Sequence, residues 1–149
     1  MALKPDRIET VTDVSFFMNT TATRGGVASV STGGSGVAMD DANAVVAYAS
    51  AVNGALPVGV LLNDVVDLDL TRQHINWHKD EVQKGGKVAL LRVGQVTTNL
   101  VAGLPAAGSG AYVGVSGLIG TDPTDSVKIG SFLSSVDSDG YAKVSVNIQ

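Results

Sequence analysis

The clearest fold signal in the chain lies in residues 128–148, which read KIGSFLSSVDSDGYAKVSVNI. Apolar and polar residues alternate from Ala142 to Ile148, as expected of a strand with one buried face. The preceding Asp139-Gly140 pair is typical of a hairpin turn, because glycine tolerates the positive φ that such turns require. The stretch therefore predicts two antiparallel strands, Lys128–Val136 and Tyr141–Ile148, joined by a turn.

Short apolar runs with glycine-rich punctuation continue upstream. They predict strands at 27–30, 60–62, 66–70, 87–93, 95–101 and 111–115, with Gly94 as the break between two of them. Residues 45–52 fit either a strand or a short helix, since periodicity does not decide. Short strands at roughly 8–12-residue spacing are typical of a β-barrel or sandwich. We therefore expect a mainly β fold, a small β-barrel or sandwich, with at most one or two short helices.

The first 24 residues are expected to form an extended N-terminal arm, ahead of a single β domain at 25–149. Apolar residues such as Ile8, Val14 and Phe16 recur there at a period near two, with polar residues between them. Phe16 and Phe17 are adjacent and would point to opposite faces of a strand. One of them is either covered by a loop of its own domain or presented to a partner. An extended arm can also add a strand to a neighbouring protein.

The composition restricts the classes of function. Charged residues are 16% of the 149 residues, against roughly 25% in an average domain, which favours burial of surface in an assembly. The net charge of −4 and the scattered Lys and Arg residues argue against nucleic-acid binding. The absence of cysteine excludes disulfides and thiolate metal sites. We expect no signal peptide and no membrane span, since charges occupy the N-terminus and polar residues interrupt the uncharged stretch 42–63.

The two histidines are the strongest candidates for chemistry. His74 and His78 are four residues apart, a spacing that could bind a metal ion from one face of a helix. Ile75 stands where a metalloprotease motif would place glutamate, and no serine or cysteine nucleophile is positioned beside either histidine by the sequence. We therefore expect no catalytic residue, no cofactor and no metal site, and not an enzyme.

Several stretches of the chain resemble the head decoration, or capsid cement, proteins of tailed bacteriophages. These stretches are Leu56–Val65, Asp69–His74, Asn76–Val82, Gly85–Val88, Val93–Val96, Lys128–Leu133 and Asp139–Val144. Together they extend over most of the chain. The turns and hairpins among them are generic to small phage β-barrels, whereas the Trp77-His78-Lys79-Asp80-Glu81 run is more particular. The resemblance implies a fold and a role but assigns no functional residue.

The resemblance implies a structural virion protein on the outer face of the capsid, made in the host cytoplasm. Its partners would be the major capsid protein and further copies of itself, often as a homotrimer. Alternatives are another virion component, such as a head–tail or tail-tube protein, or a small ligand-binding β module. The contact residues we expect lie in the arm and in the polar stretch around the only tryptophan: Ile8, Val14, Phe16, Phe17, Arg72, His74, Trp77 and His78.

Overall fold

The computed structural model describes residues 2–31, 45–65 and 80–148. The strands are β1 (Ile8–Met18), β2 (Ala22–Thr23), β3 (Val27–Val30), β4 (Val45–Ala47), β5 (Pro57–Asp64), β6 (Glu81–Val82), β7 (Lys87–Thr98), β8 (Gly110–Val113), β9 (Ile119–Gly120), β10 (Lys128–Phe132) and β11 (Ala142–Asn147). In these ranges the one helical element is a 3₁₀ turn at Val115–Gly117. The expectation of a mainly β fold is confirmed. Residues 45–47 are a strand.

Nine strands form one mixed sheet in the order β1-β4-β3-β5-β7-β11-β10-β8-β9, and β2 pairs with β6 in a separate two-stranded sheet. An additional antiparallel pairing joins β1 to β7. β1 therefore pairs with two strands that are not neighbours of each other in this order. It pairs with β4 through Phe17 and Met18, and with β7 along most of the length of β1.

The hairpin predicted at residues 128–148 is confirmed, but its first strand ends at Phe132 and not at Val136 as predicted. β10 and β11 are antiparallel, with Phe132 opposite Val144 and Gly130 opposite Val146. The turn is closed by the Asp137 carboxylate, which accepts hydrogen bonds from the backbone N–H groups of Asp139 and Tyr141 at 2.9 Å each. Gly140 has φ +87°, as a turn residue of this kind requires.

β7 is the central strand of the sheet. One of its edges pairs with β1, while its other edge pairs first with β5 and then with β11. Gly94 lies within this strand, so the prediction of a break at Gly94 is wrong. A Cβ at this position would lie 2.1 Å from the Ile8 carbonyl oxygen. The glycine is therefore needed for close approach of β1, and it does not end the strand.

The segment predicted to form an extended N-terminal arm, residues 1–24, pairs with the rest of the chain. Its long strand, β1, lies along β7. Leu3, near the N-terminus, is 3% exposed and forms a bridge with Thr98. The described part of the segment is therefore integrated into the β domain.

The core consists of two apolar clusters, and β7 contributes to both. Leu91 and Val96 belong to the larger cluster, together with Phe132 and Val144. Val88 and Leu90 belong to the second, which also contains Met18. Successive residues of a strand face opposite sides, so Leu90 and Leu91 contribute to different clusters from one strand.

Candidate interaction surface

β1 exposes three large apolar side chains to solvent. Ile8 is 53% exposed, Val11 46% and Val14 47%. We refer to these three residues as the β1 row. Single exposed apolar residues are common on protein surfaces, but three on one strand suit contact with another protein.

Irregular pairing brings two members of the β1 row to the same side of the sheet. Strict alternation would place Ile8 and Val11 on opposite faces. The register with β7 shifts between Glu9 and Val11, so that Ile8 lies opposite Gln95 and Val11 lies opposite Val93. Gln95 and Val93 are two residues apart and share a face, and therefore Ile8 and Val11 do as well. The predicted contact residues omitted Val11, because its spacing from Ile8 gives no sign of a bulge.

A second irregularity in β1 is built around Asp13. Its carboxylate accepts hydrogen bonds from the Ser15 backbone N–H at 2.8 Å and from the Ser15 hydroxyl, and it lies 3.5 Å from an Arg92 guanidinium nitrogen. Burial by itself would raise the pKa of Asp13, but the bonds from Ser15 and the positive charge of Arg92 lower it below its ordinary value. Asp13 thus holds the register shift in place and ties β1 to β7.

The bulges also affect what the edge of β1 that faces away from β7 can do. In the described ranges, the edge of β1 that faces away from β7 pairs only at Phe17 and Met18. An open edge can accept an additional strand, but bulges and charged residues make it a poor template. Three register shifts, with Glu9 and Asp13 among them, interrupt the ladder of β1. Side chains of the β1 row are therefore better suited to a contact than its backbone.

Phe16 and Phe17 are both half-buried. Phe16 lies opposite Val88 and packs against the smaller core cluster. Phe17 lies opposite Lys87, whose ammonium nitrogen is 5.7 Å from the centre of the Phe17 ring. Each ring thus has partners in its own chain, and each keeps a part of its surface open.

The other predicted contact residues, Arg72, His74, Trp77 and His78, lie outside the described residues, as does the strand predicted at 66–70. Their role stays a prediction. Within the described ranges, no three acidic or histidine side chains come together in a way that could hold a metal ion. No helix in these ranges is long and apolar enough to cross a membrane.

A cavity of about 360 Å³ opens beside β3 and β4, and none of its described lining residues is charged. Ser29 and Ala47 lie opposite each other and both line it, and the Ser29 hydroxyl is buried without a hydrogen-bond partner. At its wall, the Tyr48 hydroxyl donates to the Thr23 carbonyl and accepts from the Gly26 N–H at 3.0 Å. Burial raises the pKa of Tyr48 well above its ordinary value, so this hydroxyl stays protonated. Tyr48 thus has a structural role.

Comparison of the chain with protein-family models and with curated proteins finds no match.

Proposed function

We propose that this chain is a head decoration protein of a tailed bacteriophage, which binds the outer surface of the capsid and bridges neighbouring capsid subunits. The observation that carries the proposal is the β1 row, an exposed apolar strand in a chain whose sequence resembles such proteins. A partner that covered Ile8, Val11 and Val14 would remove their apolar surface from water, at about 25 cal/mol per Å². Binding only to the assembled shell would stabilise the shell by mass action.

The proposal includes a homotrimer. A trimer would meet the shell at three equivalent points, and such multivalency can raise avidity by about 10²–10⁴ over a single contact. The low charged fraction of 16% supports association, because little charge has to be desolvated. The segment around Trp77 is proposed as a second contact with the capsid, since tryptophan and arginine are favoured in the energetic centres of interfaces.

We also infer the closure of one part of the sheet into a small barrel. β1 pairs with β4 and with β7, and these strands are linked through β3 and β5. Each of these five strands thus has a partner on either side. This circuit would provide a rigid support for the β1 row.

The test replaces Ile8, Val11 and Val14 together by serine. Because these side chains are largely exposed, the variant should keep its melting temperature within about 3 °C, yet bind capsids lacking the protein roughly tenfold more weakly or worse. Binding is measured by co-sedimentation with the particles and by electron microscopy of the decorated shell.

A matched control replaces three exposed apolar residues elsewhere, Leu56, Leu104 and Val115, by serine. This control should decorate the particles as the unmodified protein does. Saturation of the shell by the β1-row variant would remove that row from the mechanism. Failure of the unmodified protein to bind any shell would overturn the proposed function itself.

A further inference from the structure

We propose that the outer face of β11 and β10 binds the acidic surface of a second copy of this chain, so that copies associate head to tail into a closed ring. This inference deepens the proposed function by naming the surface that joins the copies. It depends on that function only for the expectation of three copies in the ring.

The pairing of β7 with β11 defines this face. Gln95 lies opposite Ser145, and Thr97 lies opposite Lys143. Their sequence neighbours Val96 and Val144 are buried in the larger core cluster. Because neighbouring residues of a strand point to opposite sides, the odd-numbered residues 95, 97, 143 and 145 point away from the core.

The same face extends over β10 and β8. Ser131 lies opposite Ser145, so it shares that residue's side of the sheet. Lys128 lies opposite Tyr112, whose neighbours Ala111 and Val113 are buried in the core. Lys128 and Tyr112 therefore point outward as well.

The N-terminus adds a third lysine at the opposite margin. The Lys4 N–H donates to the Thr97 carbonyl at 2.9 Å, while the preceding Leu3 is in the core. Alternation turns Lys4 outward, and its ammonium nitrogen lies 4.4 Å from the centre of the Tyr141 ring. We call this whole surface the lysine face. The residues that carry its charge and aromatic surface are Lys4, Lys128, Lys143, Tyr112 and Tyr141.

The lysine face is positively charged, whereas the chain as a whole has a net negative charge. None of the described residues that the pairings place on it is acidic, whereas the chain has 14 Asp and Glu residues against 10 Lys and Arg. Among the described residues outside the face, ten are acidic and five are basic. Several acidic residues, such as Asp122 and Asp125, lie on exposed turns. The remainder of another copy therefore complements the lysine face in charge.

The same charges determine the geometry of association. Two copies that met through the same face, as in a twofold dimer, would bring lysines against lysines. Contact between the lysine face and a different, acidic surface avoids that repulsion and is heterologous. Heterologous contacts close into rings when the rotation between copies permits it. A ring of three is thus compatible with this chain, whereas a dimer through the lysine face is disfavoured.

Sedimentation velocity of the isolated full chain tests the proposal, with Lys143→Glu and Lys128→Glu as variants. Both reverse a charge of the lysine face and should weaken association roughly tenfold or more, with unchanged melting temperatures. Lys84→Glu is the matched control, because it makes the same charge change in the exposed turn before β7, at the end of that strand remote from Thr97, the partner of Lys143. It should associate normally. Raising the salt concentration from about 0.05 M to about 0.5 M should also weaken the ring.

A ring of discrete size that disperses in the two variants and persists in Lys84→Glu supports the proposal. A monomer at high concentration, a dimer, an open filament, or equal dispersal by the control would overturn it. Binding of duplex DNA by the lysines in place of self-association would overturn it too. If a monomeric protein binds capsids, the proposed function stands and only the ring is contradicted. If the chain forms a ring that does not bind capsids, the ring stands and the proposed function is contradicted.

Discussion

β1 and β11 both pair with β7, but the two pairings differ in regularity. β11 pairs through six successive residues without a shift, and Val144 and Val146 enter the core. β1 shifts its register three times and turns Ile8 and Val11 outward. Where pairing and alternation agree, the apolar residues stabilise the fold. Where they disagree, as in β1, the apolar surface contributes little to the fold and remains available to a partner.

Both β11 and β1 lie close to a glycine of a neighbouring strand, Gly130 of β10 for β11 and Gly94 of β7 for β1. A Cβ at Gly130 would lie 1.8 Å from the Ser145 carbonyl oxygen of β11, and one at Gly94 would lie 2.1 Å from the Ile8 carbonyl oxygen of β1. Both contacts are with backbone, so neither clash can be relieved by rotating a side chain. The two sites differ in how far the clashing strand can move.

The largest expected effect comes from Gly130→Ala. β10 lies between β11 and β8 and cannot move away from one without approaching the other, so the clash cannot be relieved. We therefore expect a loss of more than about 4 kcal/mol in the free energy of unfolding. Gly94→Ala should cost about 1–3 kcal/mol, because β1 can move away from β7 near Ile8. Urea unfolding of both variants measures the difference. Equal losses would show that β1 is held as firmly as β10.

A second prediction compares side chains. Phe132 is fully buried opposite Val144, and Phe132→Ala should lower the free energy of unfolding by about 3–5 kcal/mol. Ile8→Ala should change it by less than about 0.5 kcal/mol, because Ile8 is largely exposed. Thermal and urea denaturation provide the measurement. A loss above about 1 kcal/mol at Ile8 would mean that this residue supports the fold.

The smallest expected effect concerns pH. The pKa of Asp13 is lowered in the folded chain, so its contribution to stability is present above the ordinary carboxyl pKa and is lost as the pH falls through the lower, folded value. β11 contains no acidic residue from Ala142 to Asn147. Asp13→Asn should therefore flatten the fall in stability below about pH 4, and Ser15→Ala should do so in part. A pH profile of Asp13→Asn that matches the unmodified protein would exclude this role.

The sequence predicted the regular parts of the fold well. Val27–Val30 and the hairpin at 128–148 are found where alternation and turn chemistry place them, because both signals are local. The prediction of a strand break at Gly94 is wrong. Glycine is required there because the Ile8 carbonyl, from a strand far away in the chain, leaves no room for a Cβ. For the same reason, neither the pairing of β1 with β7 nor the lysine face was predicted. Both depend on the register between distant segments, which no local sequence pattern contains.

The pairing of β1 with β7 also sets the order of events during synthesis. β1 ends at Met18 and β7 ends at Thr98, so about 80 residues must be added before the partner strand is complete. At about 5–20 residues per second, the ribosome takes roughly 4–16 s for this stretch. During that interval the valines and phenylalanines of β1 have no native strand to pair with. Loop closure over such a distance is also slow compared with formation of a hairpin. We therefore expect the C-terminal hairpin to form fast once synthesised, and closure of β1 onto β7 to limit the folding rate.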